Sequence, residues 1–271
     1  MKIVSFNVNS VRLRLHQLKA LVDTHDPDVI GLQETKVVDD DFPVEDLKAL
    51  GFHCAFAGQK THYGVAMLSK TEMRDVHIGF STDDAQAQKR LITATVQSPA
   101  GNDVTVINGY FPQGEKRDHP VKFPAKEKFY SDLLNKLQKE HDASDNLLVI
   151  GDYNVAPVDA DLGIGPDNVK RWLRQGATSF LPEERQWFEL LCQWGLDDSY
   201  RIKYPDKDDK FSWFDYRSKG FDRDPKRGLR IDHLLCTHSL TNTLSDSGID
   251  YDIRAMEKPS DHCPVWSEFD V

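Results

Sequence analysis

The chain has 271 residues, 39% of them hydrophobic and 10% aromatic, which is enough apolar material for one large domain or two small ones. Its formal net charge of −10 argues against a protein that binds a polyanion through general basicity. No apolar run approaches the roughly 18–20 residues that span a bilayer, so we expect no membrane partner.

Cysteine usage and the N-terminus both indicate a reducing compartment. The four cysteines are far apart and form no C-x-x-C pair, which argues against a zinc site and a disulfide framework. The first six residues lack the charged-then-apolar layout of a signal peptide and instead predict a strand. We therefore expect a cytoplasmic protein.

The first half of the chain predicts an α/β fold. A strand at 2–8, a helix with leucines at helical spacing at 11–25 and a buried strand at 29–32 are typical of crossover connections, not of a β-meander. Four shorter strands follow, at 52–57, 63–69, 91–97 and 103–110. A helix with the apolar stripe Phe129, Leu133 and Leu137 then leads to a buried strand at 147–150.

The second half continues the same pattern. A helix is predicted from Pro182 to a stop near Gly195, with its inner face formed by Trp187, Leu190, Leu191 and Trp194. A short aromatic strand at 211–214 and closing strands at 229–236 and 265–269 follow. Since no repeat and no low-complexity linker divides the chain, we predict one domain, residues 1–271, with two sheets and flanking helices.

Residues 147–155 carry the most informative local pattern. Four large apolar residues make a buried strand that ends at Gly151, and Asp152 and Asn154 follow it. Alternate strand residues point the same way, so both polar groups can face one side at the carboxyl end, where open α/β sheets place their sites. An ordinary strand-ending turn has the same local pattern, and this stretch alone leaves both interpretations open.

Polar side chains recur at the ends of six predicted segments that are far apart in sequence. They are Asn7, Glu34, Tyr110, Asp152 with Asn154, Asp232, and Asp261 with His262. Each one has a structural alternative, such as a turn former, a helix cap or a rim aromatic. Their recurrence at strand ends favours one shared site.

The shared set suits metal-assisted phosphodiester hydrolysis. A divalent Mg²⁺ or Mn²⁺ takes hard oxygen ligands, for which Glu34, Asp261 and Asn7 are candidates. The reaction also needs an oriented water and stabilisation of charge on the phosphate and on the leaving oxygen. Four further side chains can supply these functions: Asp152, Asn154, His262 and Tyr110.

Six strings in the sequence resemble the exonuclease III family of apurinic/apyrimidinic (AP) endonucleases, within the endonuclease/exonuclease/phosphatase superfamily. They are S-F-N-V-N (5–9), G-L-Q-E-T-K (31–36), N-G-Y-F-P-Q-G (108–114), G-D-Y-N-V (151–155), R-I-D-H-L-L (230–235) and S-D-H-C-P-V (260–265). The resemblance runs in order from residue 2 to residue 269. It implies a DNase I-like fold, a four-layer α/β sandwich of two packed mixed sheets flanked by helices.

The resemblance also implies a role for each residue of the set. Glu34 would bind the catalytic metal, Mg²⁺ or alternatively Mn²⁺, and four further candidate ligands are Asn7, Asp152, Asn154 and Asp261. Asp152 would orient or deprotonate the attacking water, and Asn154 would help hold the transition state. Tyr110 would contact the scissile phosphate or the leaving oxygen. His262 would hydrogen-bond the phosphate, with Asp232 fixing its tautomer.

The implied substrate is double-stranded DNA with abasic sites or 3′ ends. Trp213, Phe214 and Leu229 would line an apolar pocket for a flipped-out abasic deoxyribose, although core packing suits the same three residues. Phosphate contacts are expected from Arg90, Gln113 and Lys122. Residues 201–230 carry ten lysines and arginines against six acids, so a basic face on an acidic body is possible. The acidic body predicts strong salt sensitivity.

Two positions depart from the usual family pattern. Tyr153 stands where a methionine is usual, and strand alternation points it away from Asp152, so we expect only a packing change. His233 replaces a more usual apolar or aromatic residue after Asp232, and we expect it to face solvent.

We therefore predict a Mg²⁺-dependent DNA repair nuclease that acts as a monomer. It would cut 5′ to abasic sites, degrade duplex DNA 3′→5′ and remove 3′ blocking groups as a phosphatase or phosphodiesterase. Phosphoinositide and sphingomyelin hydrolases of the superfamily lack duplex-binding loops such as F-S-W-F-D-Y-R-S. A catalytically silent DNA-binding relative would not need the full set of carboxylates, amide and histidine.

Overall fold

The computed structural model describes residues 1–271, and its strands form two six-stranded sheets. The strands of the first sheet are β1 (Lys2–Asn7), β2 (Val29–Gln33), β3 (His53–Ala57), β4 (Val65–Ser69), β11 (Leu244–Ile249) and β12 (Val265–Phe269). Their spatial order is β11-β12-β1-β2-β4-β3.

The second sheet uses the middle of the chain. Its strands are β5 (Arg74–Ile78), β6 (Leu91–Gln97), β7 (Asp103–Tyr110), β8 (Leu147–Asp152), β9 (Leu196–Asp198) and β10 (Asp232–Thr237), in the order β5-β6-β7-β8-β10-β9. Both sheets are mixed. Each has one parallel pair at its centre, β1 with β2 and β7 with β8, and all other neighbours are antiparallel.

Helices flank the two sheets. They are α1 (Leu15–His25), α2 (Val44–Ala49), α3 (Lys122–Glu140), α4 (Pro166–Gln175), α5 (Pro182–Gly195), α6 (Ser199–Lys203), α7 (His238–Thr241) and α8 (Tyr251–Arg254). The crossover between β1 and β2 contains α1, and the crossover between β7 and β8 contains α3, as parallel pairs require.

Three apolar clusters separate the four layers. One lies between the sheets and includes Ile3 and Val29 from the first and Ile150 from the second. Another packs the first sheet against α1, α2 and α8, and the third packs the second sheet against α3 and α5. Burial on both faces explains why β8 reads as a continuous apolar run.

A polar contact crosses the apolar layer between the sheets. The Nε2 of Gln33 donates to the Oδ1 of Asn108 at 2.6 Å, and the Nδ2 of Asn108 donates to the backbone oxygens of Leu32 at 3.0 Å and Ala66 at 2.9 Å. We call this the Gln33–Asn108 amide pair. It joins the ends of β2 and β4 to β7 in the dry interior.

Most predicted elements are present, and three details differ. The strands at 91–97, 103–110 and 265–269 and the helix from Pro182 to Gly195 are confirmed. The strands β5, β9 and β11 and the helices α2, α4, α6, α7 and α8 were not predicted. Residues 211–214 are not a strand, because Trp213 makes only isolated bridges, to Leu229 and His262. Leu190 is 39% exposed and does not belong to the inner face of α5. No helix is both long and apolar enough to cross a membrane.

Candidate active site

The ends of the central strands of both sheets meet at one edge of the sandwich. Asn7 ends β1, Glu34 follows β2, Tyr110 ends β7 and Asp152 ends β8. Pairing in the second sheet places Asp152 beside Tyr110 on one side and beside Asp232, the first residue of β10, on the other. The crossovers that make these pairs parallel therefore bring polar residues from distant segments together.

Asn7 links the two sheets within the site. Its Nδ2 donates to the Oε1 of Glu34 at 3.2 Å and to the Oδ2 of Asp152 at 2.9 Å. Its Oδ1 accepts from the backbone N–H of Asn9 at 3.1 Å. The amide oxygen expected to bind metal thus faces away from both carboxylates, and in this arrangement Asn7 positions them.

Glu34 is held by cationic and neutral donors. The Tyr110 hydroxyl donates to its Oε1 at 2.6 Å, and the Lys36 ammonium lies 2.8 Å from its Oε2. Burial by itself raises the pKa of Glu34, but Lys36 and Tyr110 outweigh it and hold that pKa below its usual value. Burial, Glu34 and Asp152 raise the pKa of Tyr110 well above 10, which keeps its hydroxyl a donor.

The Lys36 ammonium is partly exposed and contacts two side-chain oxygens. Besides Glu34 it donates to the Oδ1 of Asn9 at 2.6 Å, and the Nδ2 of Asn9 donates to the Oδ1 of Asp261 at 2.8 Å. The other oxygen of Asp261 accepts from the Trp213 indole at 3.1 Å. Hydrogen bonds through Asn9 and Lys36 therefore link Asp261 to Glu34. Hard oxygens already arranged around a positive charge fit a divalent cation such as Mg²⁺.

A histidine and two carboxylates form the buried part of the site. The Nδ1 of His262 lies 2.9 Å from the Oδ2 of Asp232, and its Nε2 lies 3.8 Å from the Oδ2 of Asp152. Burial lowers the pKa of His262, but Asp232 and Asp152 outweigh it and raise that pKa to about 10. Burial raises the pKa of Asp152 to about 7, against the opposite effect of His262.

The same three residues are the one cluster with metal-ligand geometry. Asp152, Asp232 and His262 each offer a ligand atom, and these atoms lie within 4.8 Å of one another. The hydrogen bond between His262 and Asp232 already engages two of the three. Asp152 also faces Asn7 and Glu34. It is therefore the carboxylate that lies between the Glu34 half of the site and the His262–Asp232 half.

Asn154 has an unusual backbone conformation, and a buried lysine holds its carbonyl group in place. Its φ is +52°, a left-handed conformation that asparagine tolerates better than most residues. Its N–H donates to the Oδ1 of Asp152 at 3.0 Å, and its Nδ2 donates to the backbone oxygen of Phe111 at 3.0 Å. The fully buried Lys126 ammonium donates to the Asn154 carbonyl at 2.8 Å and pairs with Glu184 at 2.5 Å.

Four residues of this site were missed by sequence reasoning. Asn9 and Lys36 lie within two of the family motifs, S-F-N-V-N and G-L-Q-E-T-K, so these motifs could have identified them. Lys126 and Glu184 lie on α3 and α5, where charged residues usually indicate a solvated face, and no local signal distinguishes them.

The predicted DNA contacts lie around the cluster. Arg90 stacks on Tyr110 with its Cζ 4.6 Å from the ring centroid, and its Nη1 donates to the Tyr110 carbonyl at 3.0 Å. The amide of Gln113 donates to Thr178 at 2.9 Å. Lys122 pairs with Glu115 at the surface. Arg90 thus contacts Tyr110, and the Gln113 carbonyl accepts from Lys126 at 3.3 Å.

The predicted apolar pocket has one accessible wall. Trp213 is half-buried and bonded to Asp261, whereas Phe214 is 0% and Leu229 1% exposed. Phe214 packs in a small core with Phe211 and Cys263, and Leu229 packs with residues of another core cluster. Because neither side chain reaches the surface, the core-packing alternative holds for both.

The two unusual residues are both internal. Tyr153 is buried and stacks on Phe111 with ring centroids 4.2 Å apart, a packing role as expected. The expectation that His233 faces solvent is wrong, since it is 1% exposed. Its Nε2 lies 2.8 Å from the Val155 carbonyl and its Nδ1 lies 3.0 Å from the Arg230 guanidinium, so it ties β10 to the segment after β8.

A four-layer α/β sandwich with carboxylates, amides and a His–Asp pair at its strand ends defines the class of metal-dependent phosphoester hydrolases with a DNase I-like fold. The chain belongs to the endonuclease/exonuclease/phosphatase family, which matches residues 4–262. The predicted family and fold are confirmed.

Similar proteins cover the whole chain. It is 57% identical to exodeoxyribonuclease III of Haemophilus influenzae over 269 residues, which cover 99% of this chain and 100% of that protein. A 3′ phosphatase from Neisseria, bound to a product DNA hairpin, matches with a TM-score of 0.89 and 39% identity over 100% of both chains. An AP endonuclease from Archaeoglobus fulgidus matches with a TM-score of 0.91 and 35% identity, again over 100% of both.

Proposed function

We propose that this chain is a Mg²⁺-dependent DNA repair nuclease that cuts 5′ to abasic sites, degrades duplex DNA 3′→5′ and removes 3′-phosphate and 3′-phosphodiester groups. The proposal rests mainly on the position of Asp152 between two groups of site residues. This carboxylate lies between the oxygen-rich Glu34 half of the site and the His262–Asp232 pair. The names of the similar proteins, an exodeoxyribonuclease, a 3′ phosphatase and an AP endonuclease, support the same substrate.

Glu34 and Asp261, with Asp152 shared between both halves, would hold the metal, with Mn²⁺ as an alternative to Mg²⁺. Asn7 and Asn154 are the remaining candidate ligands. When bound, the metal supplies Lewis-acid stabilisation of charge on the phosphate oxygens. Hard oxygen ligands and no cysteine in the set favour Mg²⁺ over zinc.

The protein's own groups supply the proton transfers. Asp152, with its raised pKa, accepts a proton from the attacking water near neutral pH. The charged His262, oriented by Asp232, donates its Nε2–H to the phosphate, and the Asn154 carboxamide assists at the same oxygens. The Tyr110 hydroxyl stays protonated. It donates to the Oε1 of Glu34 at 2.6 Å, and in the proposed reaction it would donate to the leaving oxygen instead.

DNA would lie across the edge where these groups meet. Trp213 would provide the accessible face of the abasic-site pocket, with Phe214 and Leu229 behind it as packing residues. Arg90, Gln113 and Lys122 would contact phosphates of the duplex. We further propose one domain over residues 1–271, because strands from both chain ends pair in the first sheet. We also propose that the protein acts as a monomer. Four free cysteines support a cytoplasmic location.

The test uses a duplex oligonucleotide with a single abasic analogue, incubated with Mg²⁺ or with EDTA. We expect incision on the 5′ side of the analogue only with Mg²⁺, and release of phosphate from a duplex with a 3′-phosphate. The same duplex with an ordinary nucleotide is the control for site selectivity. No metal-dependent incision at the analogue would contradict the proposal.

A further inference from the structure

Arg254, the last residue of α8, is a buried arginine without a polar partner. Its side chain is 6% exposed and makes no hydrogen bond or ion pair within the protein, and its Nε is fully enclosed. Three rings surround it, with the Cζ 4.8 Å from the centroid of Phe221, 5.7 Å from Tyr216 and 5.9 Å from Phe214. Aromatic faces attract a guanidinium but accept few of its five N–H groups.

Arg254 lines a surface pocket of about 340 Å³, which we call the Arg254 pocket. Tyr216, Phe221 and Pro259 form apolar walls, and the exposed Lys219 also borders it. The volume is in the range that small ligands occupy.

Two carboxylates also border the pocket, and neither neutralises Arg254. Asp215 accepts hydrogen bonds from the backbone N–H groups of Arg217 at 3.3 Å and Ser218 at 3.1 Å. Asp222 is exposed to solvent and lies beyond ion-pair distance of the guanidinium. Of the guanidinium nitrogens only Nε is fully enclosed, and no carboxylate lies within ion-pair distance, so the pocket is suited to an anion that supplies the missing acceptors.

We propose that the Arg254 pocket binds a phosphate group. A guanidinium in an aromatic surround makes bidentate hydrogen bonds to phosphate with little loss of side-chain freedom, and Lys219 adds a second positive charge. The phosphate has two possible sources, a backbone phosphate of bound DNA or a free phosphate monoester. The DNA source rests on the proposed function, whereas binding of free phosphate does not.

The pocket shares a wall with the candidate active site. The Tyr216 hydroxyl donates to the Pro259 carbonyl at 2.6 Å, and the Phe214 N–H donates to the Asp261 carbonyl at 2.9 Å. Phosphate against Tyr216 and Pro259 therefore stiffens the segment that holds Asp261 and His262. This links occupancy of the pocket to the alignment of the site.

The first experiment tests free phosphate on the metal-free protein in EDTA. We expect inorganic phosphate at about ten times its Kd to raise Tm by ~3 °C relative to sodium chloride of equal ionic strength. The Arg254 Nε–H signal, identified by its loss in Arg254→Lys, should shift in NMR spectra. Arg254→Met should abolish the Tm rise, and Arg74→Met, which removes an exposed arginine on the edge strand β5, should retain it.

The second experiment identifies the source of the phosphate. If it belongs to DNA, Arg254→Met reduces the slope of log K against log salt for duplex binding by about one, and Arg74→Met does not. If it is a free monoester, the slope is unchanged and inorganic phosphate or dAMP still shifts the Arg254 signal. The proposal is overturned if Arg254→Met only lowers Tm while phosphate response and salt slope equal those of wild type, since Arg254 would then be a packing residue.

Discussion

The ends of β2 and β8 are counterparts in the two sheets, and they differ in how they are built. Each follows a central parallel strand, and each carries a residue in the left-handed region, Glu34 and Asn154, both with φ of +52°. Glu34 is partly accessible and meets the Lys36 ammonium. Asn154 is almost fully buried, and its carbonyl is fixed by the internal Lys126–Glu184 pair.

This difference separates two tasks. Under the proposed function, the Glu34 end would offer oxygens to a cation that enters from solvent, so it would tolerate access and exchange. The Asp152–Asn154 end would set the direction of proton transfer, which requires atoms fixed to within a fraction of an ångström. Variants of the two ends should therefore fail in different ways.

The largest effect is expected at Asp152. Asp152→Asn keeps the shape but removes the proton acceptor, so we expect abasic-site incision to fall by ~10⁴-fold while duplex binding remains measurable. Single-turnover incision and fluorescence anisotropy measure the two quantities. Retention of most of the activity would refute the assigned role.

Glu34→Gln removes charge from the metal-binding end. We expect a loss of roughly 10³-fold at low Mg²⁺, partly recovered at high Mg²⁺, because the defect is in metal affinity. Titration of incision rate against Mg²⁺ tests this. Asp152→Asn should show no such recovery. If the incision rates of both variants respond alike to Mg²⁺, the two strand ends do not have different tasks.

The second sheet should also carry a pH-dependent share of stability. Burial raises the pKa of Asp198, but Arg230 and His233 outweigh it and hold that pKa far below its ordinary value. Its charge thus stabilises the fold above pH ~4, and this contribution is lost as pH falls towards the folded-state pKa. Asp198→Asn should cost about 3 kcal/mol at pH 7, and less as pH falls below ~4.

Urea unfolding at pH 7 and pH 3 measures the difference. The matched control is Asp103→Asn, which disrupts an exposed pair with Arg74 and should change stability by less than about 1 kcal/mol at either pH. A constant deficit for Asp198→Asn across this range would show that its charge is not responsible.

Lys126→Met tests the support behind Asn154. We expect kcat to fall by about tenfold with KM nearly unchanged, because the Asn154 carbonyl loses its donor. Tm should fall as well, because the buried Glu184 loses its counter-charge. Lys128→Met, on the exposed face of the same helix, should leave both parameters unchanged. A rise in KM alone would place Lys126 in substrate binding.

The smallest effect is expected at Lys122. Its exposed pair with Glu115 contributes little stability, so Lys122→Met should leave Tm within 1–2 °C of wild type. As a single phosphate contact it should reduce the salt slope of duplex binding by about one. An unchanged salt slope would show that Lys122 does not contact a DNA phosphate.

The sequence predicted the architecture because periodicity and strand-end residues are local signals. Buried runs such as 147–150 and the carboxylates that follow them are visible without coordinates. Contacts between distant segments are not. Lys126 reaches Asn154 from α3. Phe214 packs in a core with Phe211 and Cys263, whereas Trp213 bridges to the distant Leu229 and His262.

The Gln33–Asn108 amide pair has a consequence for how the site tolerates change. Two sheets joined only by apolar side chains can slide into several packings of similar energy, whereas the hydrogen bonds of these buried amides form in one alignment. The pair therefore fixes the position of one sheet relative to the other, and with it the distance between Glu34 and Asp152. Surface loops can diversify around such a sandwich while the reacting groups keep their spacing.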